Sequence, residues 1–102
     1  MAALSEVVYT VRITLSKPRR RAALVRYLVR EHIPALRKQP GFLSARLGSS
    51  EGTLIAEYRV RTMKDLKRYF TSAAPALRAD FLSRFGDDVT LTREIQRVLA
   101  KL

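Results

Sequence analysis

The chain contains one histidine, His32, and its side chain is the only one suited to act as a base near neutral pH. On a helical wheel the ring shares one side with three apolar residues and lies away from the arginines of the same segment. Those three residues are Leu28, Val29 and Leu36. The pattern therefore predicts that the imidazole lies against an apolar surface rather than in solvent.

Two interpretations of His32 follow. In the functional one, His32 is a base or ligand-orienting group in a cavity between a helix and a sheet, with Tyr9 and Tyr58 donating hydrogen bonds to a ligand. In the structural one, a neutral imidazole satisfies backbone groups that are freed where Pro34 breaks the helix. We favour the structural interpretation, because no carboxylate or nucleophile accompanies His32 to complete a catalytic constellation.

Other catalytic and metal-binding chemistries lack the residues that they need. The chain has no cysteine, which excludes disulfides and thiolate ligands, and one histidine leaves no basis for a metal site. Ser49 and Ser50 lie in a turn without a nucleophile-elbow pattern, and there is no glycine-rich phosphate loop. We therefore expect no metal and no cofactor.

The charge of the chain is strongly positive, with 20 Lys and Arg against 9 Asp and Glu, a net charge of +11. Much of the excess lies in the first predicted helix, where Arg19, Arg26 and Arg30 fall on the side opposite the apolar residues. Such a stripe favours weak, nonspecific binding of nucleic acid or another polyanion, or else it is a solvated helix face. We favour the solvated face.

The location of the protein is predicted from what the sequence lacks. No apolar run approaches the ~20 residues that cross a bilayer, and residues 1–6 lack the features of a secretory signal. We expect a cytoplasmic protein with no membrane partner. Residues 100–102, Ala-Lys-Leu, resemble the peroxisomal Ser-Lys-Leu address, a three-residue match that is common by chance.

Alternating apolar residues predict the strands of the fold. The clearest strand is 7–15, followed by 42–47 and 53–60, which are joined by a hairpin at 48–52. The ambiguous tail, 89–96, is assigned as a fourth strand, because two helices on one sheet face match four strands better than three.

Two helical regions separate these strands. Ser16 is predicted to cap the first, and Pro34 to bend or end it near Ile33. A capping box at 62–65 opens the second region, which Pro75 divides into two short helices. Gly86 is predicted to end the second of these as a left-handed cap.

The element order β-α-β-β-α-β predicts an α+β, ferredoxin-like domain over residues 1–102, with its core at about 7–96 and both helical regions on one face of a four-stranded antiparallel sheet. The residues expected beneath the helices are Tyr9, Val11, Ile13, Leu43, Ala45, Leu54, Ala56 and Tyr58. The residues expected on the open face are Val8, Thr10, Arg12, Phe42, Ser44, Arg46, Ile55, Glu57 and Arg59.

The open face combines apolar and charged residues. Pairing two such faces would bury Val8, Phe42 and Ile55, which predicts a homodimer. The three arginines of this face could form interface salt bridges with Glu57 and Glu94 or hold an anionic ligand, and we favour the salt bridges.

Three separate motifs give the chain a resemblance to a bacterial family of domains of unknown function, numbered four-two-eight-six. The motifs are Glu31-His-Ile-Pro34, Phe42-Leu-Ser-Ala-Arg-Leu47, and Ala74-Pro-Ala-Leu-Arg78 with Arg84-Phe-Gly86. That family is similar to the dimeric α/β-barrel proteins, so the resemblance implies this fold and dimerisation through the open sheet faces. It implies no reaction.

The functional expectation is a small homodimeric binding or scaffold module. The alternative from the enzyme class is a cofactor-independent oxygenase or isomerase that acts on a small aromatic or polyketide-like ligand near His32, by analogy with relatives of this architecture. A third alternative is weak nucleic-acid binding by the basic stripe.

Overall fold

A computed structural model describes residues 4–102 and contains one antiparallel sheet of four strands. The strands are β1 (Val7–Leu15), β2 (Phe42–Ser50), β3 (Thr53–Val60) and β4 (Val89–Arg97), in the spatial order β2-β3-β1-β4. The helices are α1 (Arg21–Tyr27), α2 (Ile33–Arg37), α3 (Met63–Thr71) and α4 (Ala74–Phe85). The helices cover one face of the sheet, which confirms the predicted ferredoxin-like α+β order.

The helical region after β1 passes through Pro34 without ending. A π-helical turn, Leu28–His32, joins α1 to α2, and the backbone N–H of Ile33 bonds to the carbonyl of Leu28. The wider turn accommodates the proline, which has no N–H to donate and whose ring would otherwise clash with the preceding turn. Of the two predicted effects of Pro34, a bend or an end near Ile33, the end is wrong, since α2 continues to Arg37.

The π-helical turn also changes which residues face the core. The buried positions run Leu24, Leu28, Ile33 and Leu36, so one step spans five residues where an α-helix would use three or four. A regular wheel placed Val29 on the buried side, whereas the side chain is 55% exposed.

The end of β1 is fixed by Ser16, although not as a helix cap. Its N–H and its hydroxyl both donate to the backbone carbonyl of Asp88, at 2.8 and 3.0 Å. The helical region begins instead with a 3-10 turn, Pro18–Arg20, that has no side-chain cap. The Asp88 carboxylate, almost completely buried, accepts from Arg20 at 2.7 Å and forms an ion pair with Lys17 at 2.9 Å, and these contacts lower its pKa. Ser16 and Asp88 thus join the end of β1 to the start of β4.

A β-bulge at the start of β2 corrects the predicted face of Phe42. The residue pairs with Val60, but the next pair in register is Ser44 with Arg59, so Leu43 is the extra residue. Phe42 therefore lies beneath the helices, 5% exposed, with its ring at 5.9 Å from that of Tyr58. The sequence prediction had placed it on the open face.

The connections around α3 and α4 largely follow the predictions. The Thr62 hydroxyl accepts from the N–H of Asp65 at 3.0 Å, which confirms the predicted cap. The Asp65 carboxylate accepts from the same hydroxyl at 3.0 Å rather than from the Thr62 N–H of a full capping box. Pro75 lies in the first turn of α4, as predicted. Gly86 has φ −54°, so the predicted left-handed cap was wrong, and the residue begins a 3-10 turn instead.

The hairpin between β2 and β3 is tighter than predicted. β2 extends through Ser50 into the predicted loop, whereas β3 begins at Thr53 as predicted. Only Glu51 and Gly52 remain as the turn, with φ of 50° and 85°. Positive φ at both positions is typical of the hairpin turns whose twist matches that of the strands.

Candidate functional site

A cavity of about 40 Å³ lies between the helices and the sheet. The central strands β1 and β3 form its floor, the segment around His32 and helix α4 form two walls, and β4 forms its edge. The lining residues with polar side chains are Tyr9, His32, Tyr58, Tyr69, Arg78 and Arg93. The structure therefore brings together the three residues that the sequence suggested for ligand binding, namely Tyr9, His32 and Tyr58.

The tyrosine hydroxyls that line this cavity have no protein partner within residues 4–102. Tyr9, Tyr58 and Tyr69 make no side-chain hydrogen bond there, whereas the Tyr27 hydroxyl, outside the cavity, donates to Asp80 at 2.6 Å. Burial raises the pKa of Tyr58, so its hydroxyl is protonated at neutral pH. The cavity thus presents hydrogen-bonding groups that a bound molecule could satisfy.

His32 is held between aromatic rings. Its ring centroid lies 5.8 Å from that of Tyr27 and 5.4 Å from that of Phe81. Nδ1 is buried and has no hydrogen-bond partner in the described part of the chain. Burial lowers the pKa of the imidazole, against a smaller raising effect of Asp80, so the ring is neutral at pH 7.

The structural interpretation of His32 required hydrogen bonds to backbone groups near Pro34. Among the described residues, the His32 side chain makes no such bond. The imidazole instead fills space beside the cavity and leaves its buried nitrogen available, which is an uncommon state for a buried polar atom.

Sequence reasoning missed two arginines at the edge of the cavity. Arg78 appears in the sequence analysis only as part of a family motif, and in the structure its guanidinium lies over the Phe70 ring, 5.3 Å from the centroid. Arg93 was not considered, although it occupies the core-facing side of β4, opposite Val11. The available signal was its position in the alternation of β4, where Val89 and Leu91 face the same side.

Tyr69 lines the same cavity as the two arginines, and their charges affect its pKa. Burial raises the pKa of Tyr69 to about 12, while the positive charges of Arg78 and Arg93 act in the opposite direction. The cavity therefore combines a protonated tyrosine hydroxyl with two positive charges.

The open face of the sheet carries ion pairs between neighbouring strands and segments. The pairs are Arg12 with Glu94 at 3.3 Å, Arg46 with Glu57 at 3.1 Å, and Arg59 with Glu6 at 2.9 Å. Hydrogen bonds from Arg59 and Lys101 lower the pKa of Glu6 to about 2. Between the charges lie Thr10, which is buried, and the half-buried Val8 and Ile55.

The predicted basic stripe lies on the outer side of the first helical region. Arg19, Arg26 and Arg30 are exposed, and none has a carboxylate within 4.0 Å in the described part of the chain. They border a shallow groove with Val25 and Val29. No helix within residues 4–102 is both long enough and apolar enough to cross a membrane.

Solved structures show that this fold occurs in several kinds of protein. The chain is similar to SnoaB from Streptomyces nogalater, a cofactor-independent oxygenase, with 18% identity, TM-score 0.70, and coverage of 96% of this chain and 97% of that one. It is also similar to the ActVA-Orf6 monooxygenase of Streptomyces coelicolor, solved with nanaomycin D, with 14% identity, TM-score 0.73, and coverage of 96% and 91%.

A third similar structure is an ethyl tert-butyl ether D (EthD) family protein from Bacillus halodurans, with 22% identity, TM-score 0.62, and coverage of 86% of this chain and 96% of that one. At these identities the likeness establishes the fold alone. No curated protein matches the chain. Residues 6–99 match the family described as a domain of unknown function, DUF4286, and the chain belongs to that family.

Proposed function

We propose that the protein binds a small aromatic molecule in the cavity between its helices and sheet. One observation carries the proposal: Tyr9, His32, Tyr58 and Tyr69 line one cavity, and within residues 4–102 neither the three tyrosine hydroxyls nor the buried Nδ1 of His32 has a hydrogen-bond partner. Buried polar groups in native proteins are almost always hydrogen-bonded, so these groups favour a bound molecule or water as their partner.

The walls of the cavity define the chemistry of the ligand. Tyr9 and Tyr58 stack at 5.8 Å, and Phe81 lies on the side of His32, which favours a flat aromatic ring over an aliphatic chain. The tyrosine hydroxyls and the imidazole favour a hydroxyl or carbonyl substituent that can both donate and accept. A phenol or an aromatic ketone combines these features.

The cavity must widen before such a ring can enter. A volume of about 40 Å³ holds a few water molecules, whereas a dry cavity of roughly 150 Å³ holds benzene in an engineered protein. The Leu82 side chain lines the cavity and is 51% exposed, so it can rotate outward without losing a buried position. We infer that Leu82 controls entry.

Calorimetric titration with 2-naphthol tests this proposal. Tyr58→Phe should weaken binding by about tenfold through the loss of one hydroxyl, and Leu82→Ala should strengthen it. Tyr27→Phe is the matched control, because it removes a hydroxyl that lies outside the cavity. Absence of heat and of thermal stabilisation in both the wild-type protein and Leu82→Ala would overturn the proposal.

Cofactor-independent oxygenation is a second candidate function, and the state of His32 favours it. The lowered pKa keeps the imidazole neutral and able to accept a proton from a ligand at neutral pH. SnoaB and ActVA-Orf6, which share the fold, are described as an oxygenase and a monooxygenase. The reaction would convert an activated CH₂ beside a phenolic ring to a carbonyl. One atom of O₂ enters the product, the other leaves as water, and the ligand supplies all of the electrons.

Oxygen uptake with an anthrone as the substrate, measured without any added reductant, tests this second candidate. His32→Gln should lower the rate by about a hundredfold, the scale expected for loss of a general base. Uptake no faster than in buffer, with 2-naphthol binding retained, would remove the enzyme candidate and leave the binding function.

We further propose that the open face of the sheet pairs with the same face of a second copy. Val8 and Ile55 are half-buried apolar residues at the centre of a face whose arginines already have partners. A two-fold axis would place each arginine–glutamate pair near its copy and bury the apolar residues between them. Neutralised charges lower the cost of burying this face.

Polyanion binding is a separate proposal for the basic stripe. The arginines of the open face have carboxylate partners, whereas Arg19, Arg26 and Arg30 have none among residues 4–102. Their charges are free to neutralise phosphates without breaking an internal pair, which supports weak and nonspecific binding.

A further inference from the structure

Two arginines lie at the edge of the cavity on different elements. Arg78 comes from α4 and is partly buried, with its guanidinium over the Phe70 ring. Arg93 comes from β4 and sits on the core-facing side of the sheet, next to Val11 of β1. Both line the same cavity as Tyr9 and Tyr58. The floor of the cavity is therefore aromatic, and its edge at Arg78 and Arg93, here called the mouth, is cationic.

Neither arginine is explained by an ion pair. No carboxylate lies within 4.0 Å of Arg78 or Arg93 in the part of the chain that the structure describes. The arginines on the open face of the same sheet each have a glutamate partner. Positive charge at the mouth is therefore unbalanced, which is the condition that favours an anionic ligand.

Arg93, although exposed, interrupts the apolar pattern on the core-facing side of β4. Val89 and Leu91 precede it on the same side of β4 and pack against the core. Continuation of that pattern would place an apolar residue opposite Val11, where it would cover the gap between β4 and α4. The stacking of Arg78 on Phe70 likewise restricts a side chain that is otherwise free to extend into water.

We propose that the ligand of this cavity is an aromatic oxyanion, with its ring on Tyr9 and Tyr58 and its carboxylate or phosphate group at Arg78 and Arg93. This inference rests on the proposed binding function and specifies its ligand class. Guanidinium groups match the geometry of both anions and form charge-assisted hydrogen bonds with them. Tyr69 lines the same cavity, and its hydroxyl supplies a third donor.

A matched ligand series tests the inference by calorimetric titration at about pH 7, where 2-naphthol is neutral. The three probes are 2-naphthol, 2-naphthoate and 2-naphthyl phosphate. We expect at least one of the two anions to bind about tenfold more tightly than the neutral alcohol, the scale of a charge-assisted bond. The preferred anion identifies the acidic group of the ligand.

Substitutions of the two arginines test whether they cause the preference for an anionic ligand. Arg78→Gln and Arg93→Gln should each reduce the ratio of anion affinity to 2-naphthol affinity by about tenfold. Arg61→Gln is the matched control, since Arg61 is exposed and does not line the cavity. Circular dichroism of each variant establishes that the fold is retained.

Each outcome separates the inference from the function on which it rests. If 2-naphthol binds and neither anion binds more tightly, the inference is overturned and the binding function stands. If Arg61→Gln reduces the preference as much as the mouth variants do, the effect comes from net charge, and the inference is again overturned. If none of the probes binds to wild type or to Leu82→Ala, both proposals fail.

Discussion

The rings of Tyr9 and Tyr58 stack with their centroids 5.8 Å apart, because the two residues are direct register partners on β1 and β3. Phe70 packs edge-on against Tyr9 at 5.4 Å and limits movement of that ring. The floor of the cavity is therefore positioned by the hydrogen-bond register of the two central strands. A site on such strands holds its geometry better than one on loops.

Acidification should destabilise the protein through His32. Burial lowers its folded pKa below the ordinary 6.5, so the unfolded chain takes up a proton at a higher pH than the folded chain does. The free energy of unfolding should then fall as the pH drops below about 6.5 and level off below the folded pKa. Thermal unfolding measured from about pH 7 to about pH 5 checks this, with His32→Gln as the comparison.

The carboxylates do not obscure that pH window. The pKa values of Glu6 and Asp88 are lowered by their arginine and lysine partners. Their contributions to stability are present above the ordinary carboxylate range and are lost only below it. An equal slope for His32→Gln and wild type between about pH 5 and pH 6.5 would contradict the assignment to His32.

A charge at the centre of the open sheet face should weaken self-association. Ile55→Asp places a carboxylate opposite Arg12 at the centre of the face, where pairing of two copies would desolvate it, so the dimer should dissociate at least about tenfold more readily. Sedimentation at micromolar concentration measures the effect. Val29→Asp, on the exposed outer side of the helical region, is the control. A monomeric wild-type protein would remove the dimer proposal.

Loss of the basic stripe should reduce the salt dependence of polyanion binding. Replacement of Arg19, Arg26 and Arg30 by Gln removes up to three phosphate contacts and should lower the slope of log K against log salt by up to about 2.7. Heparin retention and duplex DNA titration at several salt concentrations provide the measurement. The matched control replaces three other exposed bases, Arg61, Lys64 and Lys67. An equal loss in both triple variants would assign the effect to net charge.

The turn before β2 should not tolerate a side chain. Gly41 has φ +84°, and an added Cβ would overlap the Asp65 carboxylate. Gly52 has nearly the same φ, +85°, but open space around it. We expect Gly52→Ala to cost about 1 kcal/mol from backbone strain alone, and Gly41→Ala to cost at least about 1 kcal/mol more. Urea unfolding measures the loss in free energy of unfolding for each variant. Equal losses would show that the Asp65 side chain moves aside without cost.

Local patterns in the sequence were sufficient for the strands and most of the helices. The alternation from Val7 to Leu15 and the capping pair of Thr62 and Asp65 depend on neighbouring residues only, and both are confirmed. The face of Phe42 depends on a bulge that one extra residue creates between strands. No periodicity within β2 reveals such a bulge, so the prediction failed there.

The candidate site was predicted only in part, because some of its residues follow local patterns and others depend on the packing of separate elements. The sheet faces of Tyr9 and Tyr58 follow from alternation, and the proximity of His32 follows from the helical region that covers them. Arg78 and Arg93 come from α4 and β4, and their approach depends on how far the helix stands from the edge strand. Distance between packed elements is a tertiary property that the pattern of a single segment does not contain.

The turn Leu28–His32 holds one residue more than an α-helical turn would, so it acts as a single-residue insertion within a helix. Each residue rotates a helix by about 100°, and the insertion therefore sets the rotational phase of α2 relative to α1. That phase directs Ile33 and Leu36 toward the sheet. A shorter relative that lacks the extra residue would keep its strands but turn α2 to a different face, and the wall of the cavity next to His32 would be built from other side chains.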